Sequence, residues 1–133
     1  MDPISVLASS VVSVLSPYLI KAGESLAEEA GKIIGNKIGG LYQFLKERLD
    51  NKPSAKEALA DLEAKPDDED AQAALRQQLK KQMNADPSLV DELRKLVNNV
   101  KEDKETFSFL TQVYGGKVGD IFNIGKVDTL NIH

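Results

Sequence analysis

Apolar residues dominate the start of the chain, and no charged residue occurs between Pro3 and Ile20. This run reaches the length of about 18 residues at which an apolar helix can cross a membrane. It also contains the serines Ser5, Ser9, Ser10, Ser13 and Ser16, and a constitutive span would normally be more apolar. The pattern therefore favours the buried central helix of a bundle, hydrophobic nearly all round. Pro17 is expected to kink or divide it.

A helix that is buried at rest and inserts into a membrane on activation agrees with both the missing charges and the serines. The residues that we expect to contact lipid in that inserted state are Ile4, Val6, Leu7, Val11, Val12, Val14, Leu15, Leu19 and Ile20.

Small residues recur at every fourth position in the next stretch, at Gly23, Ala27, Gly31, Gly35 and Gly39. Each glycine inside a helix costs about 1 kcal/mol relative to alanine, so the repeat calls for a physical reason. The small residues either allow another backbone to approach closely, or Gly39 and Gly40 cap the end of the helix. Charges such as Glu28 and Lys32 exclude a membrane span here, so we assign the ridge to tight packing inside the bundle or an oligomer.

The middle of the chain, from about Pro53 to Asp103, has the pattern of short soluble helices. Ser54 and Glu57 form a capping box before a helix over 55–64, and an acidic helix start follows Pro66. Asp86 is predicted as an N-cap, with Pro87 at the first helical position. The two apolar stripes that follow these starts are Ala71, Ala74, Leu75, Leu79 and Met83, and then Leu89, Val90, Leu93, Leu96, Val97 and Val100.

The C-terminal part changes character after the charge run at 101–105. Residues 106–114 alternate as a strand, and Gly115–Gly116 is predicted to be a turn. Beyond the turn, apolar residues recur every third position, which suits short β-arcs better than a helix or one straight strand. Low net charge, β-branched residues and asparagines are the features of cross-β stacking between copies. The predicted self-assembly motif comprises Val118, Ile121, Phe122, Asn123, Ile124, Gly125, Val127, Leu130, Asn131 and Ile132.

These patterns predict a mainly α fold, with a bundle of about four to five helices and a short C-terminal β-forming motif. We place the helical domain at residues 1–103 and the self-assembly motif at 104–133. The chain of 133 residues is long enough for one modest domain of this kind.

The amino-acid composition excludes several kinds of binding site and partner. The chain has no Cys, and His133 is its one histidine, so thiolate or histidine-rich metal sites are not expected. The net charge of −4 and the few aromatic residues argue against nucleic acid as a partner. The glycines near Lys117 and Lys126 do not match a phosphate-binding loop. We predict no enzyme activity, no cofactor and no metal, and, since no signal peptide is recognisable, a cytoplasmic protein.

The tetrad Phe122–Asn123–Ile124–Gly125 resembles the core of the RIP homotypic interaction motif and the bacterial amyloid signalling sequences, with Asn where Gln is usual. The first hundred residues resemble the bacterial helical domains named Bell. Those domains are considered analogues of the fungal HeLo and HeLo-like pore-forming bundles and of the mixed-lineage kinase-like executioner bundle.

The resemblance implies an executioner of a cell-death or antiphage system. A nucleotide-binding receptor with a matching motif would template the C-terminal motif into a homo-oligomer or fibril. The first helix would then move from the cytoplasmic bundle into the inner membrane. Two other functions stay open on the residues alone: a non-lytic adaptor that scaffolds a conflict-system complex, and a small helical chaperone or inhibitor with an apolar groove.

Overall fold

The computed structural model describes residues 3–24 and 36–115, and these residues form six helices without a strand. The mainly α prediction is therefore confirmed, with one helix more than the upper number expected. The helices are α1 (Pro3–Glu24), α2 (Asn36–Leu49), α3 (Pro53–Ala64), α4 (Glu69–Ala85), α5 (Pro87–Glu102) and α6 (Lys104–Tyr114).

Helix α1 lies at the centre of the bundle, where it contacts α2, α4, α5 and α6. Its position follows from its sequence, because a helix that is apolar nearly all round must be surrounded by other helices. The predicted stripes of α4 and α5 supply much of that surrounding surface. Their fully buried members are Ala71, Leu75, Leu79, Met83, Leu89, Leu93, Val97 and Val100, whereas Ala74 is exposed.

Helix α2 packs against α5 in an antiparallel direction, which is visible from charged residues near the opposite ends of the two helices. Arg48, near the end of α2, lies 3.7 Å from the carboxylate of Asp86, which precedes α5. At the other end, Lys37 stabilises the charged form of Asp103, which follows α5. Lys37 is exposed and Arg48, Asp86 and Asp103 are partly exposed, so these interactions are expected to contribute little to stability.

Aspartates begin three of the helices. Asp68, Asp86 and Asp103 accept hydrogen bonds from the backbone N–H groups of Ala71, Ser88 and Thr106. The acidic start of α4 and the cap of α5 are thus confirmed. The predicted capping box at Ser54 is wrong, because α3 begins at Pro53 and no side chain caps it. Proline presets the first helical φ, which places Ser54 inside the first turn.

Pro17 and Gly39–Gly40 interrupt no helix. Pro17 lies inside α1, which is not divided there. Gly39 and Gly40 lie inside α2, so the predicted helix cap at these glycines is wrong. The reason is packing: Ile38 and Leu41, which flank the glycines, are fully buried in the core and carry the helix past them.

The strand predicted for residues 106–114 is also wrong, because this segment forms helix α6. The alternating pattern concealed a second spacing, in which Thr106 and Leu110 lie one helical turn apart and are both fully buried. Asp103 fixes the helical start by accepting from both the N–H and the hydroxyl of Thr106. A cap and two core contacts thus outweigh a strand-like pattern. The domain boundary at residue 103 stays a prediction.

Candidate functional site

Helix α1 combines two properties. Over Pro3–Ile20 it is, within the described part of the chain, the one helix long and apolar enough to cross a membrane by length and composition. More than half of that stretch is nevertheless buried inside the bundle. Such a helix is also what the core of a soluble protein contains, so its surroundings decide how it can act.

The predicted lipid-contacting residues of α1 are held mostly in the core. Ile4 is partly buried and Ile20 is exposed over 37% of its surface. The remaining members are all buried: Val6, Leu7, Val11, Val12, Val14, Leu15 and Leu19. In the resting fold these side chains therefore contact protein, and lipid contact would require α1 to leave the bundle.

Pro17 creates one weak point in the backbone of α1. In a regular helix the N–H of residue 17 would donate to the carbonyl of Ser13, but proline has no N–H. The structure fills this position from another helix: the hydroxyl of Tyr114 in α6 donates to the Ser13 carbonyl at 2.7 Å. We call this hydrogen bond the Tyr114 contact.

The Tyr114 contact needs a protonated phenol, which burial favours further. Removal of the phenol from water raises the pKa of Tyr114 above its usual value near 10. The hydroxyl is therefore protonated, and able to donate, throughout the physiological pH range.

The rest of α6 packs against α5 and α1 along one side. Thr106 and Leu110 are its fully buried residues, while Phe107 and Phe109 are partly buried against the core. The helix ends at Gly115, whose φ of 61° suits glycine. The predicted self-assembly motif, 118–132, lies outside the described residues. Helix α6 is thus the segment that joins this motif to α1.

A second set of contacts connects α1 to α2 and α3 through Tyr18. The ring of Tyr18 lies 6.1 Å from the ring of Tyr42 in α2. The hydroxyl of Tyr42 donates to Glu63 in α3, and the ammonium of Lys46 lies 3.6 Å from the same carboxylate. Partial burial raises the pKa of Glu63. This chain of contacts ties α1 to α2 and α3.

The close-packing ridge is described only in part. A Cβ added at Gly39 would lie 3.6 Å from the hydroxyl of Tyr18, an ordinary van der Waals distance, so the space around this position would also admit a larger residue than glycine. Gly23 belongs to α1, and Ala27, Gly31 and Gly35 lie outside the described residues. The role of the ridge stays a prediction.

From the sequence alone, Tyr114 was not identified as a partner of α1. The strand predicted for residues 106–114 includes Tyr114. The sequence signal for the contact was instead Pro17, because a proline inside a helix frees the carbonyl four residues earlier, here that of Ser13. The partner for that carbonyl lies about a hundred residues away in the chain, and only the packing of α6 identifies it.

Comparison with known protein families gives a match over almost the whole chain. The chain matches the family model of the Het-E N-terminal domain over residues 1–131. This family is a HeLo-like helical domain of fungal cell-death proteins, of a non-catalytic effector type. Comparisons with characterised proteins and with solved structures gave no match. The matched range covers almost the whole chain, which therefore belongs to the Het-E N-terminal domain family.

Proposed function

We propose that this protein is a membrane-directed effector of regulated cell death, in which α1 leaves the bundle and enters a lipid bilayer. One observation carries the proposal: the helix that forms the centre of the core is also the one described helix able to span a membrane. Membership in a cell-death family agrees with such a role.

The apolar side chains of α1 are compatible with a bilayer. Its buried leucines and valines would exchange a protein core for lipid of similar polarity, and on an insertion scale such residues contribute about −0.3 to −0.6 kcal/mol each at the centre of a bilayer. The charged residues that would oppose transfer are absent between Pro3 and Ile20. What holds α1 at rest is the surrounding helices.

Assembly of the C-terminal motif is the proposed trigger. Copies of residues 118–132, templated by a nucleotide-binding receptor with a matching motif, would bring the bundles to an effective concentration of about millimolar. Because α6 connects the motif to α1, displacement of α6 during assembly would break the Tyr114 contact. In a bacterial antiphage setting the protein would be cytoplasmic at rest and act at the inner membrane.

Dye leakage from vesicles of phosphatidylcholine and phosphatidylglycerol tests the proposal with the full chain under fibril-forming conditions. Ser9 lies near the middle of α1 and is only half buried, so Ser9→Lys should preserve the resting fold. In the membrane the same lysine would cost about 2.5–3.5 kcal/mol, and we expect leakage to be lost.

The matched control is Ser54→Lys, which adds the same charge at an exposed position of α3. This variant should cause leakage like the wild type. Oligomers or fibres that form without any leakage would contradict the proposal and favour the non-lytic scaffold instead. Light scattering after size-exclusion chromatography, with and without residues 116–133, separates these two functions.

A further inference from the structure

Serines of α1 lie on one side of the helix, and this side differs from the rest in its surroundings. At about 100° per residue, Ser5, Ser9, Ser13 and Ser16 fall within an arc of about 80°. Ser5, Ser9 and Ser13 are only half buried, while Ser16 at the end of this side is buried, as are the apolar residues on the opposite side, such as Leu7 and Val14. The serine side therefore faces away from the densest part of the core.

The backbone carbonyl of Ser13, one of these serines, has no hydrogen-bond donor within α1 and needs one from outside the helix. Pro17 cannot supply one, and the nearest following hydroxyl is already used, because Ser16 donates to the carbonyl of Val12 at 2.9 Å. In the resting fold the donor is Tyr114 of α6. The structure thus shows a carbonyl that accepts a hydroxyl from a neighbouring helix.

Insertion of α1 into lipid would remove Tyr114 and leave this carbonyl in hydrocarbon without water. An unsatisfied backbone group costs several kcal/mol there, and a hydroxyl on another membrane helix can compensate it. Small side chains also allow two helices to approach closely.

Resting on the proposed function, we infer that α1 helices of neighbouring copies associate in the membrane through their serine sides. The seam has Ser9 at its centre, and serine hydroxyls from one copy donate to the Ser13 carbonyl of the next. The partner is a second copy of this chain, and the seam replaces the contact that α6 makes at rest.

Disulfide cross-linking of membrane-bound protein tests this inference, because the natural chain contains no cysteine. Ser9→Cys places a thiol on the seam, and Ser10→Cys makes the same substitution about 100° away around the helix. In leaking vesicles treated with an oxidant, we expect disulfide dimers from Ser9→Cys and at least about fivefold fewer from Ser10→Cys. Equal dimer yields from both variants would overturn the inference, as would a Ser9→Cys thiol that reacts with a water-soluble maleimide but forms no dimer.

Pro17→Ala provides a second measurement, since it returns an N–H to the Ser13 carbonyl without changing the serines. If the carbonyl helps to join the helices, the dimer yield of Ser9→Cys should fall about three- to tenfold in this background, as for loss of one hydrogen bond between membrane helices. An unchanged yield would contradict the role of the carbonyl. Protein that does not float with vesicles at all overturns the proposed function, and the seam falls with it. Normal flotation and leakage with a wrong cross-linking pattern overturns the seam alone.

Discussion

The hydroxyl of Tyr114 and the carbonyl of Ser13 form a hydrogen bond that joins α6 to α1. Tyr114→Phe removes the hydroxyl and keeps the ring, so the carbonyl loses its donor. Because the site is half buried, we expect a loss of about 1 kcal/mol in the free energy of unfolding, measured by urea denaturation. Val113→Ala, at an exposed neighbouring position, should change stability by less than about 0.5 kcal/mol. Equal stability of Tyr114→Phe and the wild type would argue against the contact in solution.

Asp103 makes the stability of the N-terminal end of α6 depend on pH. Hydrogen bonds from the Thr106 hydroxyl, and then from its N–H, hold the pKa of Asp103 below its usual value. A lowered folded pKa means that the contribution is present above the unfolded pKa of about 3.9 and is lost as pH falls through the folded value. Acid should therefore destabilise α6 first, which hydrogen exchange of its amides would reveal.

The neutral cap in Asp103→Ser should retain α6 while removing this acid dependence, whereas Asp103→Ala should cost about 1 kcal/mol at neutral pH. Faster exchange in α6 of Asp103→Ser than of Asp103→Ala would be inconsistent with this explanation of the cap.

At the scale of elements, Pro17 and Tyr114 should be energetically coupled. In a Pro17→Ala background the Ser13 carbonyl regains its helical donor, so the additional change Tyr114→Phe should cost less than it does in the wild type. A double-mutant cycle measures the difference, which we expect to reach about 0.5 kcal/mol or more. Additive effects would show that the hydroxyl acts on something other than the carbonyl freed by proline.

Element positions were predictable where one physical rule acted alone. The stripe at Leu75, Leu79 and Met83 fits the spacing of a helix and not that of a strand. Asp86 precedes a proline at the first helical position, which marks the start of α5. Residues 106–114 combine two spacings, and only the surface of α1 and α5 decides between them. Sequence therefore predicted α4 and α5 but not the helical state of α6.

For the candidate site, the sequence predicted the properties of α1 itself but not its contact with a distant part of the chain. The lack of charge between Pro3 and Ile20 identified α1 as both a core helix and a possible span. That Tyr114 completes its backbone depends on a contact between distant parts of the chain, which periodicity and spacing do not encode.

At the scale of the whole molecule, α1 packs against α2, α4, α5 and α6. Its departure would remove a packing partner from α4 and α5, whose buried residues include leucines such as Leu75 and Leu93. Each fully buried leucine is worth about 1.5–3 kcal/mol of transfer free energy, so the emptied bundle cannot keep the resting fold. Release of α1 is therefore expected to be hard to reverse, which suits an effector that acts once.

Two truncations separate the role of α6 from that of the motif beyond it. Removal of residues 116–133 keeps α6 and the Tyr114 contact, so this variant should remain helical, monomeric and inactive on vesicles. Removal of 104–133 also takes away Leu110 and Tyr114, which uncovers part of α1 and frees the Ser13 carbonyl. We expect the shorter variant to bind vesicles of phosphatidylcholine and phosphatidylglycerol without assembly, with a melting temperature several degrees lower by circular dichroism. If it stays as inert as the longer variant while the full chain causes leakage, α6 does not restrain α1, and the motif must act through another part of the bundle.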